Sequence, residues 1–456
     1  MTNLPRLFLD DTSIADSAYV TRTWHAPRKY PEPVLREDPS GRDACPVLYG
    51  SVLFRNGRFH MWYMSWSRQP RPFACYACST DGIHWEKPDL GIFPAGSGLP
   101  AHAFLRSDHP NGLIDDLTVI DDPADTEWPL KMLYFDTLAS HPEGGIFAAR
   151  SRDGLRWEKA APGKVLNWGD RFNALPCRLN GKFVIFGRAR LPNPKGRVVW
   201  RAESDDLVHW SDPELVLTRD AEDPPDLEIY SLVPFPYADL LLGGIERMAM
   251  APDRLDTELA WSRDGGKSWS RSRTRPAFLA QGAPLSFDDT WINLAAGTPI
   301  RRGNELWFYY SGRSGAHNSP YPLNHGAVGL ALLRADGFVS LRAGEREGFL
   351  TTVPLVWPGG ELGVNADTRR DLESHPRYAH GVLTAEALDA GGRPIEGFTK
   401  ADALPYTGNS LFREGGFAGI RWKDDRTLAS LAGRTLQLRF FLRDAHLYSF
   451  TALPPA

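Results

Sequence analysis

A chain of 456 residues with 42% hydrophobic residues can fill the cores of two or three domains. Its formal net charge of -4 and pI of about 6.3, with Lys, Arg, Asp and Glu interspersed and no basic run, leave no electrostatic footprint for nucleic acid or a membrane surface. Four cysteines, Cys45, Cys75, Cys78 and Cys177, are too few to staple a protein of this size and read as free thiols.

The first residues, MTNLPRLFLDD, lack the positive and apolar regions of a secretory signal, and no stretch reaches the roughly 18 apolar residues that would span a bilayer. A cytoplasmic location is expected. The short apolar run from Arg6 to Asp11 either pairs with a sheet edge or stitches two domains. Beyond it, 42 glycines, 37 prolines and 15 tryptophans punctuate short aromatic and β-branched runs with turns, the pattern of an all-β protein.

One order then recurs: an apolar strand, a turn, an aromatic strand, a further strand, an Asp-Gly hairpin and a closing strand. The aromatic strands begin at Arg58, Pro129, Lys182, Asp239 and Glu305 (RFHMWYMSW, PLKMLYFD, KFVIFGRAR, DLLLGGIER, ELWFYYSGR). The hairpins read STDGIHWEK from Ser79, SRDGLRWEK from Ser151, SDDLVHWS from Ser204, SRDGGKSWS from Ser262 and a worn RADGFVSL from Arg334. Five copies predict a five-bladed β-propeller over residues 1–345. In the motif an Asp or Ser side chain can cap its own turn, Gly supplies a positive φ and the Trp a few residues on packs into the blade. From residue 346 to 456 the alternating runs GVLTAEALD, FAGIRWK, TLQLRFFLRDA and LYSFTAL predict a C-terminal β-sandwich.

The first strand of each propeller blade lines a shared funnel, so residues near its start are candidates for chemistry. Every repeat offers a carboxylate there: Asp43, then Asp115 and Asp116, Asp170, Glu228, and Asp288 and Asp289. Tyr49, Trp168, Tyr230 and Trp291 can stack on sugar faces, and Arg188, Arg190, Arg247 and Arg313 can bond hydroxyls or tune the carboxylates. His317 and Asn318 follow the fifth aromatic strand toward the rim. Carboxylates with aromatic platforms and no metal-ligand spacing fit glycosidic cleavage, in which one carboxyl protonates the leaving oxygen and another acts as nucleophile or base. There is no GxSxG elbow, Walker loop, HExxH or dinucleotide fingerprint.

The ordering of LFLDD, YGSVLFRNGRFHMWY, STDGIHWEKPDLGIF, YSLVPFPYADLLLGG, ELWFYYSGRSGAHN and LRFFLRDAHLYSF resembles glycoside-hydrolase-like bacterial proteins over nearly the whole chain. These are related to the invertase, levansucrase and arabinanase clan of five-bladed propellers (glycoside hydrolase families 32, 68 and 43), the invertase branch of which carries a C-terminal sandwich. The resemblance implies that Asp43 serves as nucleophile or base and that Asp116 assists. The clan's third residue, a Glu acid usually from blade three, has no counterpart, because that window holds Asp170; the nearest Glu at a strand start is Glu228. The invertase signatures WMNDPNG, RDP and Glu-Cys are absent.

These observations predict a glycosidase cleaving a furanoside-type or related bond with a pair of carboxylates among Asp43, Asp116, Asp170, Glu228 and Asp289, acting on a carbohydrate without a cofactor. Clan precedent allows a structural calcium in the channel, although nothing in the sequence requires one. Two alternatives stand beside this reading: a non-catalytic glycan-binding propeller, and a sialidase-like hydrolase, against which five repeats rather than six argue.

Overall fold

The computed structural model describes residues 4–38, 41–66, 71–140, 142–192, 196–317, 325–369 and 381–454. The described residues are all-β, and among them short 3-10 turns occur only between Ser410 and Leu431. Among the described residues no helix is long and apolar enough to cross a membrane. The chain forms two compact units that are not consecutive stretches. One comprises Pro27–Ile300 and Trp307–Leu332; the other comprises Met1–Ala26, Arg301–Leu306 and Leu333–Ala456.

The larger unit begins with three four-stranded antiparallel meanders. The first runs Pro46–Arg55, Arg58–Ser65, Phe73–Ser79 and Ala103–Leu105; the second Ile114–Asp121, Leu130–Asp136, Gly145–Ser151 and Glu158–Lys159; the third Trp168–Ala174, Phe183–Ala189, Val199–Ser204 and Glu214–Leu217. A ten-stranded sheet follows, in which two antiparallel sets meet through one parallel pair, Leu255 with Trp291. Its fourth-repeat set is Leu227–Tyr237, Leu240–Ala249 and Arg254–Ser262; its fifth-repeat set runs from Trp291–Leu294 through Glu305–Ser314 to His325–Arg334. Successive strands are adjacent because their connections are short hairpins, the cheapest way to pair antiparallel neighbours.

The sheets are apolar on both faces, so each must bury itself against the next. Val47, Trp62 and Met64 of the first share a core with Leu117, Val119 and Met132 of the second. Leu133 and Phe135 of the second pack on Phe172 and Ile185 of the third, and Val184 and Phe186 of the third on Ile229, Leu232 and Ile245 of the fourth-repeat set. Phe59, Met61 and Tyr63 of the first meet Tyr309, Val328 and Leu330 of the fifth-repeat set.

The Ser, Asp and Trp contacts of the hairpin motif form in four copies, with Leu207 rather than Gly at positive φ in the third. Ser79 Oγ accepts from Gly82 N at 2.8 Å, and Asp81 Oδ1 accepts from the Ile83 and His84 amides at 2.8 Å each. Trp85 Nε1 then donates to Gly82 O at 3.1 Å. Ser151, Asp153 and Trp157 repeat the pattern, as do Ser204, Asp206 and Trp210, and Ser262, Asp264 and Trp269. The clip also fastens one sheet to the preceding one: Trp62 Nε1 donates to Gly154 O at 2.6 Å and the Tyr309 hydroxyl to Gly82 O at 2.7 Å.

The fifth copy differs from this expectation. With Arg334 where the others have Ser, the turn closes by Gly337 N donating to Arg334 O at 2.8 Å. The strand after it, Val339–Ala343, pairs with Thr21–Trp24 and Ala445–Leu453 in the smaller unit. The edge of His325–Arg334 is instead covered by Arg28–Lys29, with Ala331 opposite Lys29 and Leu332 opposite Arg28.

The smaller unit has two antiparallel sheets around one core. One holds Thr21–Trp24, Val339–Ala343, Ala445–Leu453, Glu361–Asp367 and Ala418–Ile420; the other Ile14–Ala18, Gly348–Thr352, Thr435–Arg443, Leu355–Val356 and Val382–Asp389. Along Thr435–Arg443 every second side chain, Leu436, Leu438, Phe440 and Leu442, enters the core beside Leu362, Val364 and Phe450, the period of two that a half-buried strand requires. The apolar start of the chain pairs here, Arg6 with Phe450 and Leu7 with Ser449.

Gly154 sits at φ +78, and a Cβ there would lie 2.7 Å from Trp62 Cζ2, whereas one at Gly163 would meet nothing within 4 Å. Gly154→Ala is expected to destabilise the fold by about 2–4 kcal/mol through combined backbone strain and overpacking, and Gly163→Ala to leave it nearly unchanged, as read by chemical denaturation.

Candidate active site

Polar contacts join the first strands of successive sheets. Val119 N donates to Ser51 Oγ at 2.9 Å, Phe172 N to Asp116 Oδ2 at 3.0 Å, Asn173 Nδ2 to Ser231 Oγ at 3.1 Å and Ala296 N to Gly50 O at 2.8 Å. The first strands of these sheets therefore lie side by side. In Trp168–Ala174 the register slips between Trp168 and Phe172, and Arg171 takes a φ of 54°. Such a bulge re-aims one side chain at a cost that the surroundings must offset.

What offsets it is a buried ion cluster. Arg171, only 1% exposed, donates from Nε to Glu246 Oε2 at 2.8 Å and from a second nitrogen to Glu246 Oε1. A third nitrogen lies 3.5 Å from Asp116 Oδ2, and the guanidinium covers the Tyr49 ring at 4.4 Å. Asp116 is fully buried, and its Oδ1 has no hydrogen-bond partner among the described residues. Burial raises its pKa to about 7, with Asp115 and Asp170 adding to the rise and Arg171 and the Phe172 amide opposing it. Asp116 is thus a carboxyl that still carries its proton near neutrality, the state a general acid needs.

Beside it the aromatic residues form a continuous buried cluster. The Tyr49 and Tyr230 hydroxyls are 3.3 Å apart, Tyr230 meets Trp291 edge-on at 5.2 Å, and His317 stacks on Trp291 at 4.4 Å with planes 16° apart. Arg188 is ion-paired with Asp170 and Arg197 with Glu228, and the two guanidinium carbons lie 5.4 and 5.5 Å from the Tyr230 ring. Burial and the charges of Arg313, Arg197 and Arg188 lower the His317 pKa to about 4 against the pull of Asp253, so its imidazole is neutral at neutral pH. Arg313 is clasped by Trp66 at 4.8 Å and Trp291 at 4.4 Å.

The structure thus brings together Tyr49, Asp116, Asp170, Arg188, Glu228, Tyr230, Trp291, Arg313 and His317. Four other candidates make their contacts elsewhere. Asp43 Oδ2 accepts from the Tyr63 hydroxyl at 2.7 Å, Lys87 Nζ at 2.6 Å and His102 Nε2 at 3.2 Å. Burial alone would raise its pKa, but the His102 hydrogen bond and the Lys87 charge hold it down at about 2. Trp168 is a core residue between the second and third sheets. Arg247 is held by both oxygens of Asp256, each at 2.8 Å. Asp289 caps its own turn, accepting from Leu285 N and Thr290 Oγ1 at 2.9 Å each. Asn318 lies outside the described residues.

Three residues complete the site without a mark in the sequence: Arg171, Trp66 and Arg197. A fourth, Glu246, carries one, a charge at a buried position of a largely apolar strand. For metals, Asp43, Cys75 and His102 place one ligand atom each within 4.8 Å of one another, but Asp43 already bonds the Lys87 ammonium there. Asp170, Glu228 and Glu246 are each engaged by a guanidinium, a donor set that does not fit a channel calcium.

No protein-family model and no curated protein matches the chain. Similar solved structures include a glycosyl hydrolase from Bacteroides ovatus, 14% identical, with 69% of this chain and 97% of that one covered at a TM-score of 0.50. A β-1,2-mannobiose phosphorylase from Listeria innocua is 15% identical over 68% of this chain and 96% of its own at 0.48. An α-L-arabinofuranosidase from Podospora anserina is 13% identical over 69% and 98% at 0.47. The likeness is one of fold, that of the propeller glycoside hydrolases which the sequence resembles.

Because the folded-state pKa of Asp116 lies above the ordinary carboxylate value of 3.8, the folded protein holds a proton that the unfolded chain has released. Stability should therefore fall as pH rises between about 4 and about 7, and Asp116→Asn should remove that decline in denaturation curves. In Glu246→Gln the uncompensated Arg171 charge should draw the Asp116 pKa down. The infrared band of the protonated carboxyl should then disappear at lower pH than in the wild type.

Proposed function

We propose that the larger unit is a five-bladed β-propeller whose fifth blade is closed by Arg28–Lys29, that the smaller unit is a β-sandwich, and that the protein is a glycoside hydrolase acting on a furanoside-type or related linkage. The observation that carries the reading is Asp116: a buried carboxyl with one oxygen that has no hydrogen-bond partner among the described residues, protonated up to about pH 7, next to ion-paired carboxylates and a buried aromatic cluster.

In this mechanism Asp116 donates its proton to the leaving glycosidic oxygen. Asp170, held as carboxylate by Arg188 and within electrostatic range of Asp116, acts on the anomeric carbon as nucleophile or through a water as base. Glu228, tied to Arg197, offers the sugar a hydrogen-bond acceptor, and the buried rings of Tyr49, Tyr230 and Trp291, covered by Arg171, Arg188, Arg197, Arg313 and His317, hold those polar groups in place. Asp43, the nucleophile or base by clan position, fastens its own sheet through Tyr63, Lys87 and His102. A neutral His317 offers a hydrogen bond to a hydroxyl without competing for the proton of Asp116.

The test is a panel of chromogenic furanosides and fructosides. A turned-over substrate should show kcat/KM falling as pH rises through about 7, where Asp116 loses its proton. Asp116→Asn should lower kcat/KM by about 10²- to 10⁴-fold and abolish that limb while leaving the fold intact. Sugar binding by calorimetry with no product on prolonged incubation would instead make the protein a glycan-binding propeller.

A further inference from the structure

We propose that Arg313 marks an oxyanion subsite, so that the ligand of the funnel carries a carboxylate or phosphate group that docks on the guanidinium in its own plane. This deepens the hydrolase reading and rests on it for the identity of the rest of the ligand.

Arg313 is 1% exposed, and its Nε and both terminal nitrogens have no hydrogen-bond partner among the described residues. No carboxylate there forms an ion pair with it, in contrast to Arg171, Arg188 and Arg197, each of which holds one. Buried charges are otherwise paired and hydrogen-bonded, because desolvating a cation without a partner is among the costliest arrangements in a protein. Trp66 and Trp291 cover the guanidinium at 4.8 and 4.4 Å. That contact offsets part of the cost but satisfies none of the five N–H groups, which radiate in the plane of the group.

A planar fork of donors fixed by aromatic neighbours is the geometry that receives a carboxylate or phosphate through two parallel hydrogen bonds. The electrostatics of the neighbourhood agree: three guanidinium groups, Arg313 foremost, disfavour a proton on His317. A sugar hydroxyl would leave the charge uncompensated. The hydrolase reading places a sugar beside Arg313, which favours an oxyanion that is part of the sugar, as in a uronic acid. Inorganic phosphate is the other source of the same chemistry.

Calorimetric titration of the wild-type protein with sodium glucuronate, with glucose and with inorganic phosphate, at one ionic strength, tests this directly. Saturable binding of glucuronate or phosphate, not shared by glucose and weakened about tenfold or more in Arg313→Met, is the expected result. Binding of glucuronate assigns the oxyanion to the sugar; binding of phosphate alone assigns it to a free anion. Arg313→Lys, which keeps the charge and loses the fork, should bind more weakly than wild type. If Arg313→Met does not fold, the selectivity of the wild type for oxyanion over glucose decides by itself. Absence of binding by either anion, or equal affinity in a folded Arg313→Met, overturns the proposal. Turnover of a neutral furanoside without oxyanion binding would overturn this subsite and leave the hydrolase reading standing. Oxyanion binding with no turnover of any glycoside would do the reverse.

Discussion

One guanidinium, that of Arg171, touches three other sheets at the point where the first strands meet. It comes from the third sheet, grips Glu246 from the fourth-repeat set with two nitrogens, approaches Asp116 of the second sheet and lies over Tyr49 of the first. The positive φ of Arg171 is tolerable because this cluster rewards it. Removing Arg171 or Glu246 would leave the other as a buried charge without its main partner, which is costlier than losing the contact itself. The same cluster sets the chemistry, since the sharing of Arg171 between Glu246 and Asp116 leaves Asp116 too weakly compensated to ionise readily.

Around this cluster, carboxylates of one chemical type are sorted into different states by their surroundings. Asp43 accepts from three donors on one oxygen and stays ionised far into the acid range. Asp170 and Glu228 each hold an arginine. Asp116, with a single backbone donor at 3.0 Å and an arginine engaged mainly elsewhere, keeps its proton. The contrast between Asp43 and Asp116, both buried, follows the donors around each group, which offset the cost of burial for the first and only partly for the second.

Much of the fold is legible in the sequence because it is written in short-range terms. The Ser, Asp, Gly and Trp of each hairpin act within a few residues of one another, so the motif betrays four of the repeats and the alternation of Thr435–Arg443 betrays a strand of the smaller unit. The fifth copy misleads because Arg334 replaces Ser, and the turn serves a different sheet. The site is legible only in part. Asp116, Asp170, Glu228 and Tyr230 announce themselves by standing at strand starts, whereas Asp43 and Asp289 share that signal and serve local turns and ion pairs. Arg171 and Glu246 are far apart in the chain, and their meeting depends on a register slip that no local pattern encodes.

The placement of Arg28–Lys29 beside His325–Arg334 has a bearing on how the molecule is made. The two strands of this seam are separated in sequence by the other sheets of the larger unit, so the seam is among its most non-local contacts. The entropy of closing so long a loop must be met before the pairing stabilises anything, which makes sealing a late event in folding.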